Sequence, residues 1–151
     1  MKNLFLSLII LTTVLSCNKA EVSPDQNKMT LAQINNLAGE YIFEGYAVSK
    51  TPGSSKMTLT IKKNSDEEWN FSGQSYVNEY GGTYRFDQAA GSIVFKELTT
   101  TLIAAVDNSR NLAEQEYYGN FRKIKKFKLE GSTLKLFDSE PASEIMIFRK
   151  K

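Results

Sequence analysis

Lys126-Phe127-Lys128-Leu129-Glu130-Gly131-Ser132-Thr133-Leu134-Lys135-Leu136 holds the pattern that decides the fold. Phe127 and Leu129 alternate with Lys126 and Lys128, and Leu134 and Leu136 flank Lys135. A strict period of two puts the apolar side chains on one face of an extended chain and the lysines on the other. Gly131-Ser132 separates the two runs, and glycine reaches the positive φ of a tight turn at no steric cost. The stretch therefore predicts a β-hairpin in an antiparallel sheet, dry on one face and wet on the other.

The same period extends outward through most of the chain. Tyr41 and Phe43 alternate with Ile42 and Glu44; Met57, Leu59 and Ile61 with Thr58, Thr60 and Lys62; Trp69 and Phe71 with Asn70 and Ser72. Tyr84 and Phe86 flank Arg85, Ile93 and Phe95 flank Val94, and Ile145-Met146-Ile147-Phe148 is apolar on both faces. Turn formers separate these runs at Pro52-Gly53, Asn64-Ser65, Gly81-Gly82, Gly91-Ser92 and Ser139-Glu140-Pro141. One segment follows a helical period. Ala113, Tyr117, Phe121 and Ile124 line a single helix face. Asn111 is the expected N-cap, with Glu114 three residues on as a first-turn carboxylate favoured by the helix dipole. Gly119 lies inside that helix. A second, short helix is expected from the capping box Thr30-Leu31-Ala32-Gln33, with Leu31, Ile34 and Leu37 on one face. The expected class is α+β and mostly antiparallel β, a curled sheet or partly open barrel covered by one amphipathic helix.

The first residues have a different character. Met1-Lys2-Asn3 precedes an apolar run from Leu4 to Leu11, which is too short for a comfortable membrane span of roughly 20 residues. Val14-Leu15-Ser16-Cys17 resembles the lipobox of bacterial lipoproteins, and Cys17 is the chain's single cysteine. That resemblance implies a signal peptide over 1–16 and acylation of Cys17. Residues 17–36 would then form a lipid-anchored, tether-like N-terminus, with the domain over 37–150. Two or three acyl chains anchor a protein stably where one does not. The expected address is the bacterial envelope, the outer membrane rather than the inner, with the membrane a partner through Cys17.

The globular part is similar to META domains, the group that includes the HslJ-type envelope proteins. Leu37-Ala38-Gly39-Glu40-Tyr41 resembles their opening motif, carried by Gly39 and Tyr41. Their central motif is resembled by Gly73-Gln74-Ser75-Tyr76-Val77-Asn78-Glu79-Tyr80-Gly81-Gly82-Thr83-Tyr84, through Gly73, Asn78, Tyr80, Gly82 and Tyr84. Thr100-Thr101-Leu102-Ile103-Ala104-Ala105, with Thr101, and the helix carrying Glu114 and Tyr117 continue the likeness to about Arg149. Many members carry cysteines where this chain has Val77 and Ala105. The resemblance therefore implies that these two are neighbours, replacing a disulfide by an apolar contact. Asn78 is expected to bond its own backbone and set the turn before Tyr80.

With no histidine, neither a Ser-His-Asp triad nor a histidine metal site can form. The acidic pairs Asp66-Glu67, Glu67-Glu68 and Glu114/Glu116 read as solvated charge and helix-start carboxylates rather than acid–base or metal groups. No cofactor is expected. The chain carries 19 basic and 17 acidic side chains, a near balance that argues against nucleic acid as a partner. The expectation is a non-enzymatic envelope lipoprotein acting in stress resistance or envelope maintenance through contact with an envelope protein. Two rivals stand beside it. One is a lipocalin-like ligand binder, since Gly39-Glu40-Tyr41 also resembles that family's start. The other is an inhibitor of a periplasmic enzyme, inserting a loop at 49–56 or 62–68. The oligomeric state is left open.

Overall fold

The computed structural model describes residues 34–65, 68–87 and 90–151. Among the described residues, nine strands and one complete helix follow in chain order: β1 (Gly39–Tyr46), β2 (Thr58–Lys63), β3 (Trp69–Gln74), β4 (Glu79–Asp87), β5 (Ser92–Phe95), β6 (Thr99–Thr100), α1 (Asn108–Lys123), β7 (Lys126–Glu130), β8 (Thr133–Phe137) and β9 (Ile145–Lys150). The sheet runs β5-β4-β3-β2-β1-β9-β8-β7, with the short β6 on β4. Every pairing is antiparallel.

The hairpin predicted from Gly131-Ser132 is present. Glu130 faces Thr133 across the turn, and Gly131 has φ +60°. The two ends of the sheet approach each other as well. Ile93 N–H donates to the Lys125 carbonyl at 2.6 Å, and the rings of Phe86 and Phe127 lie 5.7 Å apart. The sheet is a nearly closed barrel, and closure removes most of the exposed edge that an open sheet would carry.

The inward face is filled. Tyr41, Phe43, Leu59, Trp69, Phe71, Tyr84, Leu134, Met146 and Phe148 are all buried there. The helix completes the filling with Tyr117 and Phe121, whose rings meet Phe43, Phe71, Tyr80 and Phe95 at 5.1–5.7 Å. Only about 10 Å³ remains between Leu37, Leu59, Phe71, Tyr84 and Phe121, about the minimum for one water. A lipocalin-type reading needs an open cup, and here side chains occupy that space.

Several local expectations change. Gly81-Gly82, expected as a turn between strands, lies inside β4, where the two glycines pair with Ser72 and Phe71. The helix begins at Asn108 and is capped by Asp107, whose carboxylate accepts the Ser109 N–H at 2.9 Å, so Asn111 is not the cap. Glu114 consequently sits in the second turn, outside the reach of a first-turn dipole effect. Ile34 is buried in the core, so the packed domain already includes residues ahead of Leu37. Thr30, Leu31 and Gln33 of the capping box, Cys17 and the 1–16 segment lie outside the described residues.

Candidate functional site: a buried carboxylate and the loop it braces

The helix presents one acidic residue on its apolar face. Glu114 shares that face with Tyr117, Tyr118 and Phe121 at spacings of three, four and seven, and all four are buried. A buried carboxylate needs hydrogen bonds to offset its lost hydration. The β3–β4 turn provides them. One oxygen, Oε1, accepts the backbone N–H of Val77 at 2.9 Å and of Asn78 at 2.7 Å, and contacts the Ser75 hydroxyl. The other, Oε2, accepts the Asn78 side-chain amide at 2.6 Å. Burial pushes the Glu114 carboxyl upward, but the bonds from Ser75, Asn78 and Val77 together outweigh it, so the group titrates below its ordinary value.

Asn78 connects this carboxylate to a second segment. Its Nδ2 also donates to the Ile103 carbonyl at 2.8 Å. Its Oδ1 accepts the Thr101 hydroxyl at 2.8 Å and the Ile103 N–H at 2.7 Å. Both amide protons and both lone-pair directions of Asn78 are thus used. Its role is not the local turn bond expected from sequence; the side chain joins segments 23 to 36 residues apart. Asn111, freed from capping, repeats the device. It accepts the Ala105 N–H at 2.9 Å and donates to the Ala105 carbonyl at 3.0 Å.

The remaining motif residues shape the barrel wall around this brace. Gly73 pairs with Tyr80 across β3 and β4, and Gly82 pairs with Phe71. A Cβ on Gly73 would lie 2.0 Å from the Thr58 carbonyl and 2.8 Å from the Tyr80 hydroxyl. On Gly82 it would lie 2.1 Å from the Glu97 carbonyl and 2.8 Å from the Phe71 ring. In each pair the aromatic ring covers the space a side chain would take. The Tyr80 hydroxyl donates to the Thr58 carbonyl at 2.9 Å, so its 2.8 Å contact with Tyr117 is donated by Tyr117. Burial raises both phenols and keeps them protonated. On β1 the Tyr41 hydroxyl donates to the Leu37 carbonyl at 2.8 Å, and burial pushes that phenol up to about 12. Gly39 has φ +150° and lies under the Lys150 side chain. Tyr84 is core. Of the motif residues, Asn78, Thr101 and Glu114 meet in one cluster, with Tyr80 beside it. Gly39 and Tyr41 do not.

What the brace presents to solvent is apolar. Leu102 is 97% exposed, Val106 is fully exposed, and Ile103 and Leu112 are more than half exposed. Ser75, Tyr118 and Asn111 were not legible as parts of this cluster. Glu114 was read as a helix-start carboxylate and a family-motif residue, not as a buried group; its register with Tyr117, Tyr118 and Phe121 on the helix face is the signal that could have found it.

The family model of the META domain matches residues 33–151. Among solved structures, a protein from Burkholderia xenovorans determined by NMR superposes with a TM-score of 0.58 at 14% sequence identity, covering 100% of this chain and 99% of that one. At that identity the likeness concerns the fold. No curated protein matches the chain significantly.

Proposed function

This chain belongs to the META domain family, and from that premise we propose that it is a non-enzymatic, HslJ-like envelope lipoprotein. It is held at the bilayer by acyl chains on Cys17 and acts in stress resistance or envelope maintenance by contacting another protein. The observation that carries the contact reading is the braced loop. Its buried polar groups are engaged with one another, while Leu102, Ile103, Val106 and Leu112 face outward. A carboxylate saturated by donors is poorly placed to move a proton, and an apolar ridge held in one shape loses little conformational entropy on binding.

The anchor reading rests on Val14-Leu15-Ser16-Cys17. Intact-mass analysis and labelled-palmitate incorporation of wild type and Cys17→Ser test it, followed by separation of the two membranes. Wild type should carry acyl mass and float with outer membrane, and Cys17→Ser should lose both. Unacylated wild type would remove the anchor. For the contact, photo-crosslinking in cells from a probe at position 102 should give one discrete adduct that a probe at exposed Arg85 does not give. Identical patterns from both positions would count against it.

A further inference from the structure

The hydrogen bonds of residues 101–105 alternate. Thr101 N–H donates to the Glu79 carbonyl at 3.0 Å, continuing the β6–β4 ladder. Ile103 donates its N–H to Asn78 Oδ1 and accepts from Asn78 Nδ2 at its carbonyl, and Ala105 makes the same two bonds with the Asn111 side chain. Each asparagine amide takes the place of a peptide group on a neighbouring strand. A period of two in bonding direction is the signature of an extended strand. The Leu102 and Ile103 side chains are both exposed. The backbone bonds of Thr101, Ile103 and Ala105 point to the body, so the N–H and carbonyl groups of Leu102 and Ala104 point the other way. Among the described residues those groups have no partner.

Natural sheet edges are usually blunted by lysine, proline or a covering element. This one carries leucine and alanine, both exposed. An open groove of about 310 Å³, lined by Glu79, Tyr80, Gly81 and Thr99 to Thr101, adjoins it at Thr101. Exposed acids fringe the ridge: Glu79 beside Thr101, Asp107 at its end, and Glu116 one helical turn beyond Leu112. Arg110, the basic residue of this stretch, is turned to the Tyr76 carbonyl.

We propose that residues 101–105 form a docking edge to which an extended, basic-flanked apolar segment of a partner protein adds as a β-strand. The proposal deepens the contact reading above and rests on it. Main-chain bonds to Leu102 and Ala104 would supply the affinity, Leu102 and Val106 the apolar contact, and the acidic fringe the preference for lysine or arginine on the incoming strand.

The test uses the full chain purified in detergent and a dye-labelled nine-residue peptide of alternating valine and lysine, read by fluorescence anisotropy. Two control peptides accompany it, one with proline at alternate positions and one with glutamate in place of lysine. The valine–lysine peptide should bind, and each control should bind at least tenfold more weakly. Leu102→Asp should weaken binding tenfold or more without lowering the unfolding midpoint, since that side chain touches solvent. Hydrogen exchange should show the Ile103 and Ala105 amides slow from the start, and those of Leu102 and Ala104 slowed only by the peptide. Equal binding of the proline peptide would mean charge attraction alone and overturn the proposal, as would no binding at all. It also falls if the ridge is covered by a bilayer or a second copy. Neutral phosphatidylcholine vesicles would then retain a Cys17→Ser chain, or sedimentation would show a dimer, and Leu102→Asp would abolish either one. Peptide binding without any adduct in cells would sink the contact reading and leave the edge standing.

Discussion

Asn78 and Glu114 meet through two hydrogen bonds, side-chain amide to Oε2 at 2.6 Å and backbone N–H to Oε1 at 2.7 Å, across 36 residues of chain. Through that pair the helix holds the β3–β4 turn, and the turn holds the 101–105 loop. Removing either member leaves buried groups without partners, which costs more than a single hydrogen bond contributes. Glu114→Ala and Asn78→Ala should each lower unfolding stability by about 2–4 kcal/mol in urea titration. Both should also speed amide exchange at Ile103. A loss under about 0.5 kcal/mol would show that the brace carries no weight.

Glu114 also sets a pH dependence. Its carboxyl titrates below the ordinary 4.5 because the hydrogen bonds outweigh burial. A depressed native value means that the folded state favours the charged form. The contribution is complete above about 4.5 and is lost as pH falls through the native value. Asp138, lowered to about 2 by the Ser143 hydroxyl and N–H, adds a second loss at still lower pH. Unfolding midpoints measured from pH 7 to 2 should therefore decline below about pH 4.5. Glu114→Gln should be less stable at pH 7 and decline less steeply; parallel curves would contradict the assignment.

Gly119 and Gly73 should respond to alanine in opposite directions. A Cβ on Gly119 meets nothing within 4 Å. Gly119→Ala removes backbone entropy from the unfolded chain and should raise stability by about 0.5–1 kcal/mol.

Gly73→Ala and Gly82→Ala push a Cβ against a carbonyl oxygen at 2.0 and 2.1 Å. The backbone must move, so each should lower stability by about 1–3 kcal/mol or prevent folding. Thermal melts of the two variants beside Gly119→Ala would check both signs.

The neighbours Asn78 and Ile103 are bonded in both directions, which brings Val77 and Ala105 to adjoining segments. Val77→Cys combined with Ala105→Cys should form a disulfide under oxidising conditions, the pairing that the family resemblance implies. An oxidised mass two hydrogen atoms lighter and a gain of about 2–4 kcal/mol would agree. Two free thiols after oxidation would place the positions beyond the roughly 7 Å Cα separation a disulfide tolerates.

Strand existence was legible from alternation because each strand's faces differ in polarity within a few residues, as in Leu59 and Ile61 or Leu134 and Leu136. The helix was legible from Tyr117, Phe121 and Ile124 for the same reason. Its start was not. Asp107, Asn108 and Asn111 are all good caps in isolation, and the choice among them depends on Ala105, whose backbone occupies Asn111. Asn78 was assigned a local role because sequence shows only its near neighbours, whereas Thr101, Ile103 and Glu114 come to it through the sheet and the helix.

Periodicity and turn residues, then, determined by themselves that this chain makes antiparallel strands and the amphipathic helix that carries Tyr117 and Phe121. Those signals are local: a period of two or of 3.6 needs only the residues it spans. Which strands become neighbours, how the barrel nearly closes between Ile93 and Lys125, and where the buried carboxylate finds its donors were decided only by the tertiary structure. Each of those depends on groups tens of residues apart, joined by packing and by the requirement that buried polar atoms be paired. The outward edge at Leu102 and Ala104 is a product of the same requirement, since it is what remains once the inward half of the loop has been satisfied.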